Sequence, residues 1–193
     1  MQLNYGDRLR FWPQKRWKQI VLLLVLIVIV AFVAFGAFAG LLMSGIINRE
    51  VVSEIDVVNS DGDKTALIVY QPGFSSLPKD VSYTFAEGLA ANGWRVEITT
   101  ASPEAPSDFS KYSLLVLVYP NYGSAVGTAI VKYVSRVDDF GGVSTVIISC
   151  GGPSTASIDT LRPQVETKNG TYYDGFGFSN SEEARQAGMN ITP

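Results

Sequence analysis

The run TALIVYQPGFSSLPKD, residues 65–80, decides how the rest of the chain is read. Ala66 to Tyr70 is a short, unbroken apolar stretch of the kind that forms a strand buried on both faces. The chain then turns through Gln71-Pro72-Gly73-Phe74-Ser75-Ser76 and enters a helix expected to begin at Asp80. A strand, a loop of small residues and a helix N-terminus together place backbone N–H groups and a positive dipole end at one point, where an anion such as a phosphate can be held. The plainer reading is a connection whose serines satisfy local backbone groups.

Downstream, strands and helices alternate. The helix from Asp80 to Asn92 carries Val81, Phe85 and Leu89 four residues apart, with Gly93 as its natural stop. Strands are expected at Arg95–Thr99, Ser113–Tyr119, Ser144–Ser149 and Thr171–Phe178. Between them lie a helix with Val126, Ile130, Tyr133, Val134 and Val137 on one stripe, and a second helix within Ser157–Lys168; Ser181–Gln186 reads as a short last helix. Apolar strands alternating with helices predict an α/β domain with a doubly wound, five-stranded parallel sheet of order 2-1-3-4-5. Ligands of such sheets bind beyond the C-terminal strand ends, where three loops would meet: Gln71–Pro78, Pro120–Ser124 and Cys150–Thr155.

Upstream the chain changes character. Residues 19–48 hold no charge over 30 positions, and Ile20 to Phe35 is apolar throughout. At ~1.5 Å per residue this exceeds the ~30 Å hydrocarbon core of a bilayer. The expected organisation is a basic cytoplasmic segment over 1–18, a transmembrane helix over 19–47, a linker over 48–63 containing a short edge strand at Ile55–Val58, and the α/β domain over 64–193. A cleaved signal peptide is the competing reading, because Ala37-Phe38-Ala39 fits a cleavage site. Arg8, Arg10, Lys15, Arg16 and Lys18 precede the helix against Asp7 alone. The positive-inside rule therefore makes the N-terminus cytoplasmic and the domain extracytoplasmic, a single-pass protein of the cell membrane. Gly36, Gly40 and Ser44 follow the small-xxx-small pattern that lets two such helices approach, so a homodimer is one expected partner state.

Residues 49–193 carry 10 basic and 17 acidic side chains. So acidic a domain excludes nucleic acid as a partner. There is no histidine and one cysteine, Cys150, so a Ser-His-Asp triad, a histidine-based zinc site and an internal disulfide are all ruled out. Neither a G-x-S-x-G elbow nor a phosphate-binding G-x-x-x-x-G-K-[ST] loop occurs. Cys150 reads first as a small buried hydrophobe at a strand end.

ALIVY with its hydroxyl-bearing loop, then VSYTFAEGLAANGWRVEI, LLVLVYPNYGSAVGTAIVKYV and VIISCGGPST, resemble the flavodoxin family over about residues 64–178. The resemblance implies FMN as cofactor and electron transfer, with a redox partner protein. By position, Gly73, Ser75 and Ser76 would hold the phosphate, aided by Lys79. Tyr119, Asn121, Tyr122 and Gly123 would border one side of the flavin ring, and Cys150, Gly151 and Gly152 would supply backbone contacts on the other. Ser76 and Pro78 stand where the family's first loop has Gly and Thr, which removes one N–H and one hydroxyl ligand. The alternative function is an anchored flavodoxin-like module that has lost flavin and serves as a binding or structural domain.

Overall fold

The computed structural model describes residues 14–47, 50–123, 126–152 and 155–193, in two compact units, Met1–Gly45 and Ile46–Pro193. The first contains most of α1 (Gln14–Ile47), a continuous helix whose Arg16–Leu41 portion is long and apolar enough to cross a membrane and is unburied within the protein. A Cβ added at Gly36 or Gly40 would meet nothing within 4 Å. The Ser44 side chain and the expected basic residues before Gln14 lie outside the described residues.

The second unit is built from β1 (Asp56–Val58), β2 (Lys64–Tyr70), α2 (Leu77–Ala91), β3 (Trp94–Thr100), β4 (Leu114–Pro120), α3 (Thr128–Arg136), β5 (Ser144–Cys150), α4 (Ile158–Glu166), β6 (Thr171–Phe178) and α5 (Glu182–Met189). The sheet order is β1-β3-β2-β4-β5-β6. Strands β3, β2, β4, β5 and β6 are parallel to their neighbours, so the five-stranded 2-1-3-4-5 arrangement expected from the sequence is present. A sixth strand, β1, adds antiparallel to β3 at the edge, with Val57 opposite Glu97. The short edge strand expected at Ile55–Val58 within the linker is thus present, and Ser53 extends the contact by accepting the Thr100 N–H at 3.1 Å.

Two apolar layers sandwich the sheet. On one face Val81, Phe85 and Leu89 of α2 and Ala184 of α5 pack on Ile68, Ile98 and Val116. On the other, Ile130 and Tyr133 of α3 and Leu161 of α4 cover Leu117 and Ile147, and Phe109 and Tyr112 extend that cover beyond the helices. Strands β2, β4 and β5 are apolar on both sides because both are covered. Each fully buried Leu or Phe in these layers contributes about 1.5–3 kcal/mol.

Helix α2 starts at Leu77, three residues before the expected Asp80. Pro78 lies in its first turn, where the missing N–H has no intrahelical partner to lose and the fixed φ suits the helix. Gly93 terminates it with φ +79°, as its position predicts. The end of α3 is closed from a distance: the Lys168 ammonium donates to the carbonyls of Val134, Ser135 and Val137 at 3.0, 2.8 and 2.6 Å. A cation on three terminal carbonyls complements the helix dipole. Lys168→Met is expected to lower stability by about 1.5–2 kcal/mol, read from the urea midpoint of the full chain in detergent.

Candidate functional site

The loops that follow β2, β4 and β5 do converge at the C-terminal end of the sheet, and two side chains explain why. Gln71, fully buried at the end of β2, turns its Oε1 to accept the Ile130 N–H of α3 at 3.1 Å. Gly127, the N-cap of α3, makes room for it, because a Cβ there would lie 2.2 Å from Gln71 Oε1. The first loop is in this way fixed to the start of the helix that follows the second.

Tyr122 makes the other junction. Its hydroxyl accepts the Phe74 N–H at 2.9 Å, and its ring meets the Phe74 ring edge-on with centroids 5.3 Å apart. Gly73 permits this approach: a Cβ would sit 3.0 Å from the Tyr122 hydroxyl and 3.3 Å from both Pro120 and Pro78. Phe74 is 46% exposed, one of few large apolar side chains on this unit that are. The second and third loops are joined by the Asn121 N–H, which donates to Cys150 O at 2.6 Å. Gly123 takes φ +68° and Gly151 φ +121°, conformations that favour glycine. Ser124, Pro153 and Ser154, expected in these loops, lie outside the described residues.

Two residues named from the resemblance, Tyr119 and Cys150, have buried side chains. Tyr119 is fully buried in the α3–α4 layer and shares a hydrogen bond with Ser157 Oγ at 3.0 Å; burial pushes its phenol up to about 12. Cys150 is 2% exposed, and burial likewise pushes its thiol up to about 12, which keeps it protonated and unreactive. The N–H groups of Gly151 and Gly152 both donate to Phe178 O, at 2.9 and 3.3 Å, closing the third loop against β6 rather than opening toward a ring. Tyr119 and Cys150 were assigned by motif position. They sit on strands covered on both faces, so their side chains enter the core.

The helix N-terminus is also arranged differently from a phosphate cradle. Ser76 is the N-cap of α2, yet its hydroxyl makes no capping bond and instead donates to Asp80 Oδ2 at 2.6 Å. Ser75 is exposed beside it. Lys79 turns away, its ammonium 5.6 Å from the centre of the Tyr83 ring. The Phe74 N–H already has its acceptor in Tyr122, and Pro78 has no N–H to offer. A flat aromatic group fits the half-exposed Phe74–Tyr122 pair. In the first loop the Ser76 hydroxyl is already bonded to a carboxylate and the Phe74 N–H to a phenol hydroxyl, so a phosphate there would compete for both donors.

Phe74, Gln71 and Asp80 are the site residues that reading the sequence did not single out. A lone aromatic in a loop has no periodicity to mark it, and Asp80 was read only as the start of a helix. Two surface clefts lie at the other end of the sheet. One, of about 640 Å³, lies between Lys64, Asn92, Trp94 and Ile191; another, of about 520 Å³, lies between Asp108, Arg136 and Asp139. Among the described residues no cluster of three His, Cys, Asp or Glu side chains could hold a metal ion.

No protein-family model matches the sequence, and no curated protein sequence does. Solved structures do match in fold. A short-chain flavodoxin associated with a non-canonical PDU bacterial microcompartment superposes with a TM-score of 0.55 at 16% identity, over 65% of this chain and 92% of its own. A flavodoxin from the domain Archaea gives 0.55 at 11% identity, over 66% and 95%. The flavodiiron core of a Synechocystis protein gives 0.53 at 13% identity, over 68% of this chain and 36% of its own. The domain following α1 is therefore flavodoxin-like in fold, with an added antiparallel edge strand.

Proposed function

We propose that this is a membrane-anchored flavodoxin-like protein that binds a flavin at the Phe74–Tyr122 end of the sheet and takes part in electron transfer. The observation that carries the reading is the convergence of three loops, locked by Gln71 and Tyr122, at the switch point of a flavodoxin-like sheet. A bound flavin would supply the redox chemistry itself. The chain's share is to pack Phe74 and Tyr122 against the flat ring, to hold the loops rigid through Gln71 and Gly127, and to keep water from one side of the ligand. FMN is the flavin that the family resemblance implies, and a soluble or membrane redox protein would be the electron partner. The apolar helix α1 would keep the domain on the extracytoplasmic surface, alone or as a dimer through Gly36, Gly40 and Ser44.

The test is spectroscopic. Full-length chain extracted in mild detergent is expected to carry flavin absorption in the visible, or to quench flavin fluorescence on titration. Absence of binding at tens of micromolar to FMN and to riboflavin alike removes the flavin from the reading. Protease added to intact cells is expected to digest the domain, and full protection reverses the proposed orientation.

A second reading, a flavodoxin-like module without flavin, is favoured by the Ser76–Asp80 hydrogen bond and by Pro78, which together take one hydroxyl and one N–H from the donors of the first loop. The same titration separates the two.

A further inference from the structure

We infer that the strand-end site selects a planar ligand of the isoalloxazine class that carries no terminal phosphate, riboflavin in preference to FMN, because the chain itself supplies the anion and the acceptor that a phosphate would bring. This rests on the flavin reading above and specifies its ligand.

Three independent features of the first loop converge on it. The Asp80 carboxylate is 2.6 Å from the hydroxyl of Ser76, the N-cap residue of α2. A carboxylate side chain thus already occupies the positive end of the helix. A phosphate drawn to the same hydroxyl would bring like charges within a few ångströms, where repulsion is largest. Next, the Phe74 N–H of the loop donates to Tyr122 Oη at 2.9 Å, so a phosphate that used it would displace a hydrogen bond already made. Finally, Pro78 has no N–H, and the nearest cation, Lys79, is held over the Tyr83 ring. None of these features weakens contact with a neutral tail. A ribityl chain presents hydroxyls that can donate to Asp80 and accept from Ser75, and the Phe74 and Tyr122 rings stay available to a flat ring system.

Titration of the full chain in detergent with riboflavin and with FMN, followed by fluorescence quenching, tests this directly. The wild type is expected to bind riboflavin at least severalfold more tightly than FMN. The gap should narrow at high salt, since its origin is charge repulsion at the surface. Asp80→Asn, at an exposed position, is expected to raise FMN affinity relative to that of riboflavin about tenfold, a change of about 1.4 kcal/mol. Tyr122→Phe frees the Phe74 N–H and is expected to raise FMN affinity relative to riboflavin. Inorganic phosphate should compete with FMN in Asp80→Asn and not with riboflavin in the wild type. Tighter binding of FMN than of riboflavin by the wild type, or an FMN-to-riboflavin ratio that Asp80→Asn leaves unmoved, overturns the inference and leaves the flavin reading standing. Failure of both flavins to bind any of the three proteins overturns both.

Discussion

Replacement of Gly188 by valine is expected to unfold the domain, and Gly88→Ala to cost about 3 kcal/mol or more. The reason is the crossing of α2 and α5. A Cβ built on Gly88 would lie 2.2 Å from Arg185 O, and one on Gly188 would lie 2.4 Å from Phe85 O. Both obstacles are main-chain atoms within helices, so no rotamer change relieves the clash, and the helices must move apart. Separation would open the layer around Phe85 and Ala184, which are fully buried. The gain in helix propensity from Gly to Ala, about 1 kcal/mol, offsets only part of that. Urea unfolding of the full chain should show a sharply lowered midpoint for Gly88→Ala, whereas Gly36→Ala on α1, which meets nothing, leaves the midpoint in place. An unchanged midpoint in Gly88→Ala would show that the two helices do not pack through these glycines.

The second large effect belongs to Glu97, a carboxylate only 5% exposed in β3. Its Oε2 accepts from the Lys111 ammonium at 2.9 Å and the Tyr112 hydroxyl at 2.7 Å, and its Oε1 from Arg95 at 3.2 Å. Burial alone would raise its pKa, but the hydrogen bonds from Tyr112, Lys111 and Arg95 outweigh it and hold the group below its ordinary value. A depressed folded-state pKa means that the unfolded chain takes up the proton first as pH falls. The stabilisation is therefore complete above the ordinary Glu range, near pH 4.3, and is lost as pH drops through the lower folded value. Glu97→Ala strands the Tyr112 hydroxyl and the two cations and is expected to cost about 3 kcal/mol at neutral pH. Glu97→Gln should also flatten the acid limb of stability against pH. An acid limb in Glu97→Gln as steep as in the wild type would assign it to other carboxylates.

The parallel sheet and its strand order were legible because the strands are covered on both faces and show it as unbroken apolar runs such as LIVY and LLVLVY. Gly93 was legible as a helix stop for a local reason, its tolerance of positive φ. What lay hidden depends on contacts between distant segments. Nothing near Gly88 marks Gly188 as its partner 100 residues on. Phe109 and Tyr112 sit in a stretch without periodicity, yet they cover the sheet face beyond α3. Tyr119 reads as a ring-binding tyrosine from its neighbours Pro120 and Tyr122, but its place on a central strand sends it inward. Pro78 was read as the end of a loop because proline breaks helices, whereas in a first turn it begins one. The site was therefore half legible: the three loops were located, while the pairings that set their chemistry, Phe74 with Tyr122 and Ser76 with Asp80, were not.

The edge strand β1 decides what a protease cut between α1 and the sheet would leave behind. Proteolytic release that cuts ahead of Val51 would leave β1 in place over β3. A cut in the Asn59–Asp63 turn would separate β1 from the body and bare the outer hydrogen-bonding edge of β3, a template for strand pairing between released fragments. The two cleavage positions, about ten residues apart, thus lead to different fates: a fragment with its sheet edge covered in one case and a self-associating one in the other.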